Sequence, residues 1–272
     1  MSKLKTAVVA IARLEGKYLK EWVDHYKSLG FSNVIICDND HDEDDEDIKE
    51  ILKEDIAGGF VIYEDFRNQI RAQMRCYTMM YEKYKNDYQW LAFLDIDEFI
   101  ELVNHKNISD FLSDKGDYDC VMLNWLCYGD CDNVLYEAKP LKERFTKPLP
   151  IDIKVQYNFP ENMHIKSILK GGLPSAVFAA NPHSTDSNLK CCNASKMQCN
   201  NMPWQPIDYA NAYIRHYITK STQEFFENKL RRGTGDRDYQ SFLYTYSNRY
   251  FRYNQITDEK LNWLKEHGYA RT

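Results

Sequence analysis

Apolar residues along the first hundred positions alternate between two rhythms. Thr6 to Ala12 is a short, nearly unbroken apolar run that reads as a buried strand, and from Gly16 the positions Leu19, Trp22, Val23, Tyr26 and Leu29 recur at helical spacing until Gly30. The pair then repeats. Val34 to Cys37 predicts a second strand, Ile48 to Ile56 a helix ended by Gly58-Gly59, and Phe60 to Tyr63 a third strand. Ile70 to Tyr84 predicts a long helix and Trp90 to Leu94 a fourth strand. Strand and helix in turn predict an α/β fold with a doubly wound, mostly parallel central sheet flanked by helices.

After Glu98 the rhythm changes. Asn107 or Ser109 caps a short helix to Leu112, and Cys120 to Trp125 alternates as a further strand. Leu126 to Pro206 is loop-rich and proline-rich, with strand-like pieces near Ile151 to Tyr157 and His164 to Leu169, and suits a lid or wall over the sheet edge. Tyr213 to Lys220 is strand-like. Ser221-Thr222-Gln223-Glu224 is a capping box opening a helix to Arg232, closed by Gly233, and Tyr239 to Tyr250 and Asp258 to His267 read as two further helices. No repeat or low-complexity segment interrupts this order, so one domain over 1–272 is expected.

Composition narrows the picture by exclusion. A chain of 272 residues can bury a sizeable core, and a net charge of -6 argues against a nucleic-acid surface. No run of about 18 apolar residues offers a membrane span, and the first apolar run is too short for a signal peptide. A cytoplasmic protein is expected, with peripheral association to the inner face of the membrane left open. The eight cysteines are then expected as reduced thiols. Cys191, Cys192 and Cys199, with His183 nearby, lack the paired spacing of a zinc site.

The chemistry concentrates at the fourth strand. In Trp90-Leu91-Ala92-Phe93-Leu94-Asp95-Ile96-Asp97-Glu98-Phe99-Ile100 two carboxylates stand one residue apart where the apolar run ends, and ligands of open α/β sheets sit outside the carboxyl ends of strands. Asp95 and Asp97 there suit a hard divalent cation bridging two phosphates. The plainer alternative is that these acids start a loop and cap the next helix. Arg13 and Glu15 follow strand one, Asp38 and Asn39 follow strand two, and Arg67, Gln69, Arg71 and Gln73 follow strand three, so four loops bring polar groups to one rim. The acidic run from Asp40 to Asp47 fails as a calcium loop, because Glu43 and Lys49 stand where Gly and Glu are needed. It is expected to place acids in the first turn of the helix from Ile48, with the rest a solvated loop. His216 and Lys220, with Arg231 and Arg232 beyond, could face a diphosphate.

Together these segments resemble the family 2 glycosyltransferases of the type related to family 92. The likeness rests on Arg13-Leu14-Glu15, Leu19-Lys20-Glu21-Trp22, Leu29-Gly30, Asp38-Asn39-Asp40, Gly59-Phe60-Val61, Gln73 and the Asp95-Ile96-Asp97-Glu98-Phe99 motif. Later landmarks are Asn181-Pro182-His183, His216-Tyr217-Ile218-Thr219-Lys220-Ser221 and Lys229-Leu230-Arg231-Arg232-Gly233. The resemblance implies a GT-A-like fold with a nucleotide-sugar-binding half over 1–105, an acceptor half over 106–220 and C-terminal helices over 221–272. It implies Mn2+ or Mg2+ and the donor held by Asp95 and Asp97, with His216 as an additional metal or phosphate ligand, and a nucleotide pocket lined by Arg13, Glu15, Asp38 and Gln73. The reading of the rim itself adds Asn39, Gln69, Arg71, Ile96 and Lys220 to the expected donor site. One departure is Arg13-Leu14-Glu15, where that family often has Lys-Asn-Glu.

The reading is a metal-dependent hexosyltransferase using a nucleoside diphosphate sugar, a UDP-sugar by expectation, and a glycan or lipid-linked glycan acceptor, inverting, in surface polysaccharide assembly. Asp236 and Asp130 are the candidate catalytic bases. Rival readings are a haloacid-dehalogenase-type phosphatase, a nucleotidyltransferase and a carbohydrate-binding module. The first wants its acidic motif after strand one, the second a glycine-rich loop there, and the third no nucleotide.

Overall fold

A computed structural model describes residues 3–44, 47–154, 159–174, 177–178, 181–232 and 247–270. The first four strands, β1 (Thr6–Ala12), β2 (Asn33–Asp38), β3 (Val61–Asp65) and β4 (Trp90–Phe93), are mutually parallel in the order β3-β2-β1-β4. β1 lies between β2 and β4, so the chain reverses its winding direction there and opens a crevice at the carboxyl ends of these strands. The sheet continues through β7 (Ile165–Lys170), β6 (Cys120–Cys127), β10 (Ala212–His216) and β5 (Glu98–Leu102), with β8 (Cys191–Asn193) paired to β6 and β9 (Gln198–Cys199) to β8. Here antiparallel pairs enter: β4 with β7, β7 with β6, and β10 with β5. The result is a mixed, mostly parallel, GT-A-like sheet.

Helix α1 (Gly16–Ser28) buries Tyr18, Leu19, Trp22, Val23 and Tyr26 on one stripe, as its spacing predicts. That stripe also carries hydrogen-bonding tips. Trp22 Nε1 donates to the carbonyl of Glu98 at 2.9 Å and to that of Asp95 at 3.1 Å, and Tyr26 Oη donates to the Glu98 carbonyl at 2.9 Å. α1 therefore braces the backbone around the acidic motif. Helix α4 (Gln73–Tyr84) packs Cys76, Tyr77, Met80 and Tyr81 against the sheet.

Several expectations need correction. The helix expected over Ile48 to Ile56 is two short ones, α2 (Ile48–Ile51) and α3 (Lys53–Ala57), divided at Leu52. The helix expected from Ile70 starts only at Gln73: Ile70 is exposed and Arg71 has φ 50°, outside helical space. Glu98 begins strand β5, which the sequence pattern does not predict, because its partner β10 lies more than a hundred residues away and leaves no local trace. Residues 151–152 form a turn and 153–154 no regular element instead of a strand, and the remainder of that stretch, 155–158, lies outside the described residues. The capping box is formed, with Ser221 N donating to Glu224 Oε2 at 3.1 Å and Glu224 N to Ser221 Oγ at 3.3 Å. The helix it opens, however, is a π-helix over Glu224–Lys229, followed by one α turn, Leu230–Arg232. Gly233 and most of the helix expected from Tyr239 lie outside the described residues, and Asp258–Glu266 is helical as expected.

Candidate active site

The two acids occupy a corner of the sheet. Leu94 N still bonds to Val9 of β1 at 3.0 Å, but Tyr217 N, just after β10, bonds to the carbonyl of Asp97 at 2.9 Å. Between these anchors the chain turns from β4 into β5, with Glu98 N donating to the Asp95 carbonyl at 3.0 Å. The Asp95-Ile96-Asp97 segment is thus pinned on one side by the parallel half of the sheet and on the other by the segment that follows β10. Ile96 is fully buried, so only its backbone can reach a donor.

The two carboxylates have different surroundings. Asp95, whose side chain is 30% exposed, receives Gln73 Nε2 at 2.8 Å and Tyr77 Oη at 3.1 Å on Oδ1 and faces Lys166 Nζ at 2.9 Å on Oδ2. Burial is the largest single influence and works to raise its pKa, but the charge and hydrogen bond of Lys166 together with its other polar neighbours hold the carboxyl below its ordinary range. Asp97 is buried and receives Lys229 Nζ at 2.7 Å and Lys220 Nζ at 3.4 Å on Oδ2, with His216 Nε2 at 3.5 Å from Oδ1. Burial again opposes ionisation, yet the Lys229 ammonium, with that of Lys220, keeps Asp97 ionised far below the usual carboxylate range. Burial drives His216 down to about 4, so the imidazole is neutral at neutral pH with lone-pair character. Behind both, Glu98 is fully buried beside Lys166 at 3.6 Å, and burial pushes its carboxyl well above the ordinary range.

The remaining rim residues form a network around this corner. Glu15 is buried and ion-paired with Arg232; burial raises its pKa against the pull of that guanidinium. A small cavity between the turn after β1 and the segment after β10 is lined by Glu15, Tyr18, Lys220, Lys229 and Arg232 among others. Lys220 sits at φ 57° with its ammonium 4.7 Å above the Tyr18 ring. Farther along the rim, Asp38 accepts Tyr63 Oη at 2.7 Å and lies 3.6 Å from Arg67. Asn39 ties down the next loop through the carbonyls of Phe66 at 2.8 Å and Gln69 at 2.9 Å. The Gln69 side chain bonds to Arg75, and Arg71 is exposed. Arg13 faces Asp44 at 2.9 Å. The acidic run is therefore only partly the solvated loop expected: Asp44 and Asp40 are buried, Asp40 accepts Leu14 N at 2.8 Å, and Asp47 caps α2.

Asp130, one of the two candidate bases, sits in the loop after β6. It is buried among Lys260 Nζ at 2.9 Å, Tyr250 Oη at 2.7 Å and Asn254 Oδ1, the last accepting from the Asp130 backbone at 2.7 Å. These partners tie the loop after β6 to the C-terminal helices, so its carboxylate is engaged there and not with the Asp97 corner. Asp236 lies outside the described residues.

Two residues that the sequence reading passed over contribute most to the corner. Lys229 carries the closest cation to Asp97, and its signal was present in Lys229-Leu230-Arg231-Arg232-Gly233. Lys166 sits in β7 between Ile165 and Ile168, and a lysine in a strand buried on both faces needs a charged partner.

Among the described residues no cluster of three or more His, Cys, Asp or Glu side chains is arranged around one point to hold a metal. Asp97 and His216 are brought together, while Asp95 turns toward Lys166. The donor chemistry still fits a hard divalent ion. Oδ1 of Asp97 faces a neutral imidazole nitrogen at a separation too long for a good hydrogen bond, and Mg2+ sites commonly take one or two protein ligands plus substrate phosphates.

A parallel nucleotide-type sheet edge, an acidic corner after the fourth strand and cations returned from the far end of the chain define a GT-A-like protein of the glycosyltransferase class. The chain belongs to glycosyltransferase family 92, whose profile matches residues 5–262. A family 92 protein of Ricinus communis is 26% identical over 108 residues, covering 40% of this chain and 19% of that protein. One of Oryza sativa subsp. japonica is 22% identical over 105 residues, covering 39% of this chain and 18% of that protein. The chain thus spans under a fifth of the length of these curated relatives. Among solved structures, S. aureus TarS 1-349 in complex with UDP aligns with a TM-score of 0.44 at 13% identity, covering 96% of this chain and 78% of that one. GalNAc-T7 with UDP, GalNAc and Mn2+ aligns with a TM-score of 0.34 at 22% identity over 47% of this chain and 23% of that one. Among the described residues no helix is long and apolar enough to cross a membrane.

Proposed function

We propose that the chain transfers a hexose from a nucleoside diphosphate sugar, a UDP-sugar by preference, to a glycan acceptor, with inversion, in surface polysaccharide assembly. The observation that carries this reading is the buried Asp97 carboxylate at the carboxyl end of the parallel sheet, ringed by Lys229, Lys220 and His216. A carboxylate so placed can organise cations around a leaving diphosphate. Asp38, Asn39 and the Arg13-to-Glu15 turn are the groups in reach of the base and ribose. Lys220, Lys229 and Arg232 would bind the diphosphate, and Gln73 and Tyr77 hold Asp95 in place.

In the transfer, the acceptor hydroxyl oxygen forms a bond to the sugar C1 while the bond from C1 to the diphosphate oxygen breaks. The electron pair leaves with the diphosphate, toward the lysines, and the acceptor proton passes to a carboxylate. With Asp130 engaged by Lys260, Asp236 is the base we favour. Asp95, Asp97 and His216 are the groups that would hold Mn2+ or Mg2+, which would supply added positive charge at the diphosphate. The test is donor hydrolysis across a panel of nucleotide sugars with Mn2+, with Mg2+ and with EDTA. Release of nucleoside diphosphate from one donor, absent in Asp97→Ala, supports the reading; no release from any donor overturns it.

A further inference from the structure

A continuous series of rings leads from the Asp97 corner to the surface. His216, beside Asp97, has its ring centre 4.2 Å from that of Trp125 on β6. Trp125 stacks on His164 at 5.0 Å and 24°, and His183 meets Trp125 edge-on at 5.0 Å. His164 Nδ1 lies 3.1 Å from the Glu161 carbonyl and its Nε2 accepts Trp204 Nε1 at 2.9 Å. Those two partners fix the Nδ1-protonated tautomer and lock the Trp204 indole in orientation. Trp204 in turn stacks on Phe159 at 5.5 Å and 23°, and Phe159 is 49% exposed. Ile151 and Met202, on the two loops that carry this pair, are exposed as well.

Polar edges accompany the ring faces. Trp125 Nε1 is a buried donor without a hydrogen-bond partner among the described residues, a costly state unless something supplies an acceptor. His183 Nδ1 lies 2.9 Å from the Ile165 carbonyl, which places its proton there and leaves Nε2 as a lone-pair acceptor. A pyranose fits this combination: its C–H face lies against the Phe159 and Trp204 pair at the surface, while Trp125, buried with His164 and His216 packed on it, contributes its indole N–H edge and His183 its Nε2. An alkyl chain would use the rings but not the indole N–H or the imidazole nitrogen.

We propose that Phe159, Trp204, Trp125 and His183 form the subsite for a pyranose of the acceptor glycan. The proposal rests on the glycosyl-transfer reading, whose donor site lies at the other end of the series. The residues come from three separate loops and one strand, and the backbone bridge between His164 and Trp204 holds two of those loops together.

The test titrates the full chain with the methyl glycosides of glucose, galactose, mannose and N-acetylglucosamine, reading tryptophan fluorescence and saturation transfer to the sugar protons, with octyl glucoside alongside. At least one methyl glycoside is expected to bind, and Phe159→Ala to weaken it by about tenfold, equivalent to about 1.4 kcal/mol. Trp204→Phe, which keeps a ring but loses the bond to His164, should weaken it less. UDP-induced thermal stabilisation, measured in parallel, should be the same in wild type and Phe159→Ala. The proposal is overturned if no methyl glycoside binds, if only octyl glucoside binds, or if neither variant changes the affinity. Failure of UDP to stabilise the wild type would instead count against the donor site, and leaves the glycoside result to stand separately.

Discussion

The rim of the parallel half and the arm that returns after β10 both supply polar groups to the crevice, but they are built on different principles. Along the rim, partners come from neighbouring loops of the same half: Asp38 with Tyr63 and Arg67, Asn39 with the carbonyls of the next loop, Arg13 with Asp44. At the corner, both ammoniums on Asp97 and the neutral imidazole beside it arrive from more than a hundred residues away. Rim contacts stay within about thirty residues of sequence, and although Asp38, Asn39 and Asp44 are buried, the Arg67 and Arg13 side chains that meet the two acids are partly exposed, which weakens each ion pair. Corner contacts are buried, long-range and mutually dependent, so a loss there propagates.

The sharpest way to break this contrast is at its centre. Asp97→Ala should reduce transfer to background while the rim keeps its own hydrogen bonds; a variant with full activity would remove Asp97 from the mechanism. Asp95→Ala should also abolish transfer. Lys229→Met, which keeps the length of the side chain but not its charge, should lower turnover by about a hundredfold, as loss of one preorganised group facing developing charge does. Steady-state kinetics with the preferred donor would show it, and unchanged turnover would exclude a role at the diphosphate.

A stability measurement probes the support of the arm. Glu224 accepts Arg144 through two bonds of 2.7 and 2.9 Å and Tyr18 Oη at 2.6 Å, all buried. Arg144→Met leaves that carboxylate without its guanidinium and should cost about 3–5 kcal/mol in urea unfolding. A loss under 1 kcal/mol, on the order of a surface pair, would show the network to be dispensable.

Acid sharpens the comparison further. The native Asp97 carboxyl binds protons more weakly than in the unfolded chain, so its contribution is full above the ordinary value of 3.8 and is lost as pH falls through the lower native value. Wild type should therefore lose stability below about pH 4 more steeply than Asp97→Asn, whose amide does not titrate. Parallel curves would deny the shift. The smallest effect is expected on the rim: Tyr63→Phe removes one hydrogen bond to Asp38 and should cost about 1 kcal/mol or less in UDP affinity.

The same division explains what was legible in the sequence. The α/β rhythm of residues 6–94 and the stripe of α1 are local periodicities, and they can be read without knowing any partner. The acidic motif was visible because it ends a strand. Strand β5 was not, because Glu98 to Leu102 pairs with a segment more than a hundred residues on. Arg71 escaped a pattern-based helix because nothing but its backbone angle marks the break. Lys166 was hidden for a related reason: only the fold shows that its strand runs beside Asp95. Lys229 lay in view within a basic cluster, but nothing local singled it out from Arg231 and Arg232.

The π-helix over Glu224–Lys229 has a further consequence for how this chain could vary. Removing one residue from that stretch would let ordinary i to i-4 bonding resume, and everything beyond it would rotate by about 100° about the axis. The lysine would survive in composition and vanish from the corner. In this arm the address of a charge is written in the winding of the backbone, so relatives that differ there by a single deletion need not share a donor site even if every basic residue is retained.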